Sequence, residues 1–453
     1  MAAPLTIESV RRLLEEKRAT ASDIVSRCLE TISRLNRRFR AYISVFAEEA
    51  RRKAQELDRE AEGRASIPHL FAAPLAIKDN IWVKGHPTTA AIRLFEHFIP
   101  RDDAQLVVRL RRRDTIILGK NNMHALALGA TSTSSLYGPV RNPFRPSRIA
   151  GGSSGGTAVA VALGMAAAGI GTDTGGSVRI PAAFCGLVGF KPTWGRISLH
   201  GVIPFSPTLD HVGVIAHTVS DALTLFHALT KQRAADPQTL LQATLQSLWK
   251  RTVRIGIPES YCENLDPRVE KDFHHTVGRL EGLGFKTVNI ALPAPSQVHR
   301  ARSIIALKEA WRIYGEALER SPQDFPPDVR ALLRYGASLS EAGYIEALSF
   351  RGEVVARLMR QFERVDFIAM PTVWTVAPRL EDVRGREHGA VRRALLTNTG
   401  LFNLAGMPAI TLPMAVRHGL FTGLQMAAPP MADHTLLAMA HQLEAALRSS
   451  PAT

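Results

Sequence analysis

Cysteines and long hydrophobic runs are both scarce in this sequence of 453 residues. No apolar run reaches the ~18 residues of a membrane span, and the best candidate, residues 159–170, is short and rich in Gly and Ala. The amino terminus lacks the basic, apolar and small-residue pattern of a secretory signal. The three cysteines lie far apart without a CxxC pair, which predicts neither disulfides nor a zinc knuckle: Cys28, Cys185 and Cys262. We therefore expect a cytoplasmic protein that does not enter a membrane.

Acidic residues are outnumbered by basic ones, 41 to 56, which gives a formal net charge of +15. Such a surplus could attract nucleic acid, an anionic membrane or an acidic substrate. The densest basic cluster, RLRRRD at 109–114, has no interleaved aromatic residues that would stack on bases. It is typical of the solvated end of a helix. A nucleic-acid partner is therefore not favoured.

The first part of the chain, residues 1–65, has the periodicity of helices. Ser22 and Asp23 are typical of a helix start, and a third, charged helix is predicted to end near Gly63. We expect these helices to clamp the outside of a larger unit that spans residues 66–450.

The rest of the chain has an α/β texture. Between residues 66 and 230, short apolar strands such as APLAIKD and TIILG alternate with a helix over 102–113 and the small-residue helix GGTAVAVALGMAAAG. Residues 250–292 have a strand, helix and strand pattern, with the helix over 267–283. Helices follow to about residue 364, and then come the strand-like runs VDFIAMPT, MPAITLPMAV and LFTGLQMA.

The stretch from 148 to 177, RIAGGSSGGTAVAVALGMAAAGIGTDTGGS, contains three serines in glycine-rich settings but no histidine that could activate them. It has no lysine where a phosphate-binding loop needs one, and its glycine spacing does not fit a dinucleotide fingerprint. GGSSG fits G-x-S-x-G, the nucleophile elbow of α/β-hydrolases. However, the proline-broken run before it is not strand-like, and no downstream acid and histidine stand out. Another base is needed.

Lys78 is the best candidate for that base. It ends the apolar run APLAIK, and burial of a lysine lowers its pKa because the charged form is disfavoured. A neutral lysine can accept a proton near pH 7. An isolated lysine at a strand end would more simply lie on the surface, so this interpretation depends on the wider pattern.

The wider pattern resembles a known family. APLAIKDNI, AGGSSGGTAVAVALG, GTDTGGSVRIPAAFCGLVGFKPTWGRIS and FNLAGMPAITLPM match, in order and spacing, the amidase signature family of serine amidohydrolases. The similarity runs from about residue 73 to 425 and is densest over 121–218. It implies a single large α/β domain, with a mixed central β-sheet surrounded by helices. The segment from about 231 to 395, which varies most within the family, would cover the pocket mouth.

The resemblance also implies a Ser-Ser-Lys triad. Ser177 would be the nucleophile, Ser153 the bridging serine after a cis peptide from Gly152, and Lys78 the ultimate base. A hydroxyl both donates and accepts, so Ser153 can take the proton of Ser177 while it donates to neutral Lys78. The relay needs no histidine.

The glycine turn before Ser177 is predicted to form an oxyanion hole. We expect the backbone N–H groups of four consecutive residues to converge on the developing anion: Thr174, Gly175, Gly176 and Ser177. Asp173 and Arg179 are interpreted as a pair that holds this turn, in preference to direct contact with substrate. Ser154 is expected either to support the loop or to cap the helix that begins near Gly155.

Other residues are assigned by position or set aside. The stretch 127–131 should line the acyl pocket, with Ala127, Gly129 and Thr131, beside Ser153, as substrate-binding residues. Four histidines near the motif have neither ligand spacing nor an evident carboxylate partner, so no metal site is predicted: His124, His200, His211 and His217. Cys185 fits a small buried residue, and no cofactor is implied.

Departures from one branch of the family bear on substrate. The catalytic subunits of tRNA-dependent amidotransferases typically have NMDEFAMGSS and SIRQPA, where this chain has NMHALALGAT and SVRIPA. The changes at His124, Ala125 and Ile180 fall beside the expected pocket and favour a stand-alone amidase for a small-molecule amide. Two alternatives remain, a catalytically silent binding protein or a glutamine-hydrolysing A subunit of such an amidotransferase. A homo-oligomer is left open.

Overall fold

The computed structural model describes residues 4–230, 236–248, 250, 252–383, 385 and 389–448. In these ranges, eleven strands form one sheet in the order β1-β3-β2-β4-β6-β5-β10-β11-β9-β7-β8. The strands are β1 (Tyr42–Val45), β2 (Pro74–Lys78), β3 (Ile116–Asn121), β4 (Ala168–Thr172), β5 (Val188–Lys191), β6 (Val212–Ala216), β7 (Arg254–Ile257), β8 (Lys286–Asn289), β9 (Phe367–Pro371), β10 (Ala409–Arg417) and β11 (Leu420–Ala427).

The sheet is mixed, as the family resemblance implied. Strands β3, β2 and β4 run parallel on one side, and β9, β7 and β8 run parallel on the other. An antiparallel series from β4 through β6, β5, β10 and β11 to β9 joins the two groups. Strands β2, β4, β5 and β6 are buried along their whole length, which explains their continuous small and apolar sequences.

Helices surround this sheet. They are α1 (Ile7–Glu15), α2 (Ala21–Phe39), α3 (Ala47–Glu62), α4 (Gln105–Arg111), α5 (Gly155–Ala162), α6 (Arg179–Phe184), α7 (Val219–Leu229), α8 (Pro237–Leu248), α9 (Pro267–Gly282), α10 (Pro295–Arg320), α11 (Pro327–Ser338), α12 (Glu341–Phe362), α13 (Leu380–Val383), α14 (Ala390–Leu404) and α15 (Asp433–Arg448). None of the helices in the described ranges combines the length and apolar character needed to cross a membrane.

The amino-terminal region differs from its predicted all-helical form. Between α2 and α3 the chain forms strand β1, which pairs antiparallel with β3 at one edge of the sheet. Its sequence YISV has the aromatic and β-branched residues that favour strands, but four residues are too few to stand out between two helices. Helix α2 also starts earlier than predicted: Thr20 is the N-cap, and its hydroxyl accepts a hydrogen bond from Asp23 N–H in a capping box.

In the central and carboxyl-terminal parts of the chain, the predicted helices and strands are present, but some of them are shorter than predicted. Helix α5 ends at Ala162 rather than continuing to residue 169, because Gly164 takes a left-handed conformation (φ 67°) and the next residues lead into β4. Helix α4 is likewise shorter than predicted. The predicted strand, helix and strand over 250–292 is confirmed as β7, α9 and β8, with the strands parallel. The predicted pair of carboxyl-terminal runs is confirmed as the antiparallel strands β10 and β11.

Candidate active site

The parallel pairing of β2 and β4 brings Lys78 to the site. Ile77 lies opposite Ile170, so the carboxyl ends of both strands reach the same edge of the sheet. There the Lys78 ammonium donates to Thr172 Oγ1 at 2.7 Å and to Ser153 Oγ at 2.7 Å. Lys78 and Ser153 are both 0% exposed. Two residues 75 positions apart are thus in direct contact.

Burial controls the charge of Lys78. It lowers the pKa of this ammonium to about 7, although the negative charges of Asp173 and Asp210 act in the opposite direction. No carboxylate of the described residues lies within 4 Å of Lys78, and its closest partners are the two hydroxyls. A substantial neutral fraction at pH 7 follows, as a general base requires.

Ser153 lies on a loop with an unusual backbone. The peptide between Gly152 and Ser153 is cis. The Ser153 carbonyl accepts from His124 N–H at 3.1 Å and from Ser132 Oγ at 3.3 Å, which fixes the loop. A methyl group added at Gly152 would lie 2.7 Å from Ser132 N, so the loops can approach only because this residue is glycine.

Ser177 follows the turn between β4 and α6 and is 5% exposed. Its carbonyl accepts a hydrogen bond from Ser154 N–H at 3.1 Å, which ties the two serine loops together. Ser154 Oγ donates to the Thr172 carbonyl at 3.2 Å and does not cap α5. Of the two roles considered for Ser154, the contact fits support of the loop.

The turn from Thr174 to Ser177 differs from the expected set of four free donors. Gly176 N–H donates to Asp173 Oδ1 at 2.8 Å, so it is already engaged. The N–H groups of Thr174, Gly175 and Ser177 have no hydrogen-bond acceptor among the described residues. Gly176 has φ 133°, and a methyl group there would overlap Thr399 Oγ1. Its role is to form the turn.

Asp173 and Arg179 form a buried ion pair beside the glycine turn. Arg179 Nη2 lies 2.9 Å from Asp173 Oδ1, and Nε donates to Oδ2 at 3.1 Å. The remaining donors of Arg179 bond to α14 and β11 through the Thr399 carbonyl, Gln425 Oε1 and Asn403 Oδ1. Burial alone would raise the pKa of Asp173, but the Arg179 guanidinium holds it well below its usual range. Both charges are therefore satisfied within the protein.

The stretch assigned to the acyl pocket packs against His124. Gly129 lies so close that an added methyl group would overlap the His124 ring, and Thr131 Oγ1 lies 3.4 Å from His124 Nδ1. Ala127 is buried. His124 Nε2 in turn lies 3.1 Å from Asp328 Oδ2 at the start of α11, a carboxylate partner that the sequence did not reveal.

A cavity of about 1300 Å³ opens beside this stretch. Thr133 and Ser134 are part of its wall, as are residues 323–328, Arg330 and residues 379–381. The segment 231–395 thus contributes to this cavity, whose wall includes neither Lys78, Ser153 nor Ser177.

The other sequence candidates do not converge on the serines. His211 Nδ1 lies 2.7 Å from the Leu209 carbonyl, His217 Nε2 lies 3.0 Å from the Val161 carbonyl, and His200 is exposed. No three His, Cys, Asp or Glu side chains in the described ranges are grouped as a metal site would require. Cys185 is buried, and burial raises the pKa of its thiol, which disfavours the nucleophilic thiolate.

Three residues near the site were missed at the sequence level. Thr172 contacts Lys78, and Asp210 accepts from Thr174 Oγ1 at 2.5 Å. Burial raises the pKa of Asp210 to about 6. Arg302, on α10, lies beside Gly175. The only local signal was for Thr172, which ends the buried run before the motif; the other two lie far away in sequence.

Comparison with known proteins identifies the family of the chain. The family model Amidase matches residues 23–437. The A subunit of glutamyl-tRNA(Gln) amidotransferase from Sulfurihydrogenibium sp. is 31% identical, over 97% of this chain and 96% of its own length. A solved amidase is 35% identical with a TM-score of 0.88, covering 98% of this chain and 100% of its own. The peptide amidase of Stenotrophomonas maltophilia is 27% identical with a TM-score of 0.83, covering 98% and 97%. The chain therefore belongs to the amidase family.

Proposed function

We propose that this protein hydrolyses carboxylic amides through an acyl-enzyme on Ser177. The observation that carries the proposal is the 2.7 Å contact between buried Lys78 and Ser153 Oγ. A pKa of about 7 lets Lys78 accept a proton at neutral pH.

The reaction would proceed in two halves. Ser177 Oγ attacks the amide carbonyl while its proton passes to Ser153 Oγ, and the Ser153 proton passes to Lys78 Nζ. The C–N bond then breaks, and the leaving nitrogen takes a proton back along the same path. Water then attacks the acyl-enzyme and gives its proton through Ser153 to Lys78, and this proton returns to Ser177 Oγ as the acyl–oxygen bond breaks and the acid leaves. The products are a carboxylic acid and ammonia or an amine.

The oxyanion of each tetrahedral intermediate would be bound by backbone N–H groups of the glycine turn. We retain Thr174, Gly175 and Ser177 as donors, because their N–H groups have no acceptor among the described residues. Gly176 is removed from this set because its N–H donates to Asp173. Asp173, Arg179 and Ser154 would hold the turn, and one lost donor typically costs about 10²-fold or more in rate.

The acyl group would lie against residues 127–131. Ala127, Gly129 and Thr131 are proposed as its contacts, with the buried pair of His124 and Asp328 fixing their loop. The three cysteines are free thiols, which supports a cytoplasmic location. The direct contact between Lys78 and Ser153 weighs against a silent binding protein.

The second candidate is the glutamine-hydrolysing A subunit of a tRNA-dependent amidotransferase. It is favoured by the printed names of the curated relatives, which match this chain over nearly its whole length. These names support it more strongly than they support a stand-alone amidase. The differences at His124, Ala125 and Ile180 are what still favour a different acyl group. Both candidates use the same Ser177 chemistry.

Ammonia release by the purified chain separates the candidates. We expect hydrolysis of small amides without a partner protein, tRNA or ATP, and a rate that tRNA does not change. Ser177→Ala should be inactive, while the exposed control Ser338→Ala should be unaffected. Glutamine hydrolysis that responds to tRNA and requires a partner protein would support the amidotransferase candidate. No hydrolysis under either condition would contradict both.

A further inference from the structure

Arg302 is a buried cation at the back of the glycine turn. It projects from α10 and is 1% exposed. A methyl group added at Gly175 would lie 3.0 Å from its Nη1, and one added at Gly400 on α14 would lie 2.7 Å from its Cδ. The guanidinium is therefore held between α14 and the turn that carries Ser177.

The protein gives this guanidinium little to bond. In the described part of the chain its one hydrogen bond runs from Nη2 to Ser303 Oγ, at 3.0 Å. Its Nε is buried without an acceptor, and no carboxylate of these residues lies within 4 Å. Buried charges are normally paired, because an uncompensated one is costly. The Arg302 guanidinium therefore keeps unused hydrogen-bonding capacity that an anion could satisfy.

The surroundings are also positive. Burial, together with the charge of Arg392, lowers the pKa of Arg302 to about 9. Burial and the charges of Arg302, Arg392 and Arg393 lower the pKa of His299 to about 3. Neither shift has an acid among its causes. His299 is neutral near pH 7, so the positive field at this position comes from Arg302 itself and from the neighbouring arginine charges.

We propose that Arg302 binds a carboxylate carried by the amide substrate itself. This inference rests on the proposed function, since it assigns a substrate class to the same site. A planar guanidinium fork matches a carboxylate and can bind it bidentately.

The position of Arg302 limits substrate size. Gly175 and Ser177 are two residues apart, so their Cα atoms are separated by at most about 7.6 Å. The carboxylate would therefore lie within a few bonds of the reacting carbonyl, and short acid amides are the expected class.

Binding to the Ser177→Ala protein tests this inference without requiring turnover. Calorimetry would compare the monoamides of malonic, succinic, glutaric and adipic acids with neutral amides in which a methyl group replaces the carboxylate. We expect at least one acid amide to bind at least about tenfold more tightly than its neutral counterpart, the usual magnitude for a charge-assisted hydrogen bond. L-Glutamine is measured in the same way. If it binds most tightly, the carboxylate that Arg302 recognises belongs to an amino-acid amide.

Variants of the same helix provide the controls. Arg302→Met should remove the preference for the acid amide, and Arg302→Lys, which keeps the charge without the fork, should retain part of it. Arg300→Met removes the same charge from an exposed position of the helix and should leave the preference for the acid amide unchanged. Equal binding of acid and neutral amides, no binding of any acid amide, or a preference that survives Arg302→Met would overturn the inference. If the acid amides bind but the wild-type chain hydrolyses none of them, the proposed function alone fails.

Discussion

The buried charges around the glycine turn fall into two groups that differ in pairing. Asp173 and Arg179 satisfy each other, and the remaining donors of Arg179 bond to α14 and β11. Lys78 and Arg302 are buried as deeply, yet no carboxylate of the described residues lies within 4 Å of either.

This difference distinguishes buried charges that hold the fold from buried charges that take part in the reaction or bind a ligand. A paired buried charge restricts the turn to one conformation, whereas an unpaired one either changes its pKa or binds a ligand. We assign the change of charge to Lys78, whose pKa falls to about 7, and ligand binding to Arg302, which stays charged at pH 7 because its pKa falls only to about 9. The four predictions that follow test this division, and the effects become smaller from one to the next.

Removal of Lys78 should affect activity more than any other change outside the nucleophile. We expect Lys78→Ala to lower kcat/KM by at least about 10³-fold without unfolding, because the relay then has no terminal base. The double variant with Ser153→Ala should be little worse, since the residues act as one unit. Initial rates of ammonia release measure this. The exposed His200→Ala is the control, and any histidine variant as inactive as Lys78→Ala would contradict a lysine base.

Breaking the paired group should affect stability instead. Asp173→Asn should lower the free energy of unfolding by about 3–5 kcal/mol, because it leaves the Arg179 charge buried and uncompensated. Urea denaturation measures the change. Glu316→Gln, which breaks an exposed pair with Arg320, should cost no more than about 1 kcal/mol. Equal effects of the two variants would show that the buried pair is not needed for the fold.

The pH dependence should follow the neutral form of Lys78. Its pKa of about 7 means that the base is mostly neutral above pH 7 and protonated below it. We expect kcat/KM to be level at alkaline pH and to fall about tenfold per pH unit well below pH 7. Rates between pH 5 and 10 check this, with circular dichroism as the control for folding. A rate that rises as pH falls would exclude a neutral lysine base.

The two buried arginines should respond in opposite directions to the same substitution. Arg302→Met removes an unpaired buried charge and should raise the melting temperature by about 1–2 °C. Arg179→Met leaves Asp173 without its partner and should lower it by more than that. Thermal denaturation of both variants checks the pair. If Arg302→Met is destabilised as strongly as Arg179→Met, then Arg302 is part of the scaffold.

The sequence predicted the contact between Lys78 and Ser153 better than it predicted the surrounding contacts. Lys78, Ser153 and Ser177 lie in a long local motif, and the structure places Lys78 against Ser153 as the relay requires. The mixed sheet followed from the resemblance, whereas the short edge strand β1 did not, because its four residues are defined by pairing with β3. The sequence also did not show which backbone N–H groups of the turn are already bonded. The hydrogen bond from Gly176 N–H to Asp173 depends on the fold of the turn.

Local sequence patterns could not predict contacts between residues that are far apart in the chain. Arg302 is one of 56 basic residues and has no motif around it; only the packing of α10 against α14 reveals its burial. The partner of His124 is 204 residues away, at Asp328. In each case the side chain's role is set by what it contacts in the folded chain.

Mapping the site of a fluorophosphonate adduct tests the nucleophile and its base together. The probe reacts only with an activated serine, and peptide mass spectrometry identifies the labelled residue. We predict label on Ser177, at a rate that rises with pH through about 7 in the wild-type chain and is largely lost in Lys78→Ala. Label on Ser153, or labelling of Ser177 at an undiminished rate in Lys78→Ala, would contradict the lysine-driven relay.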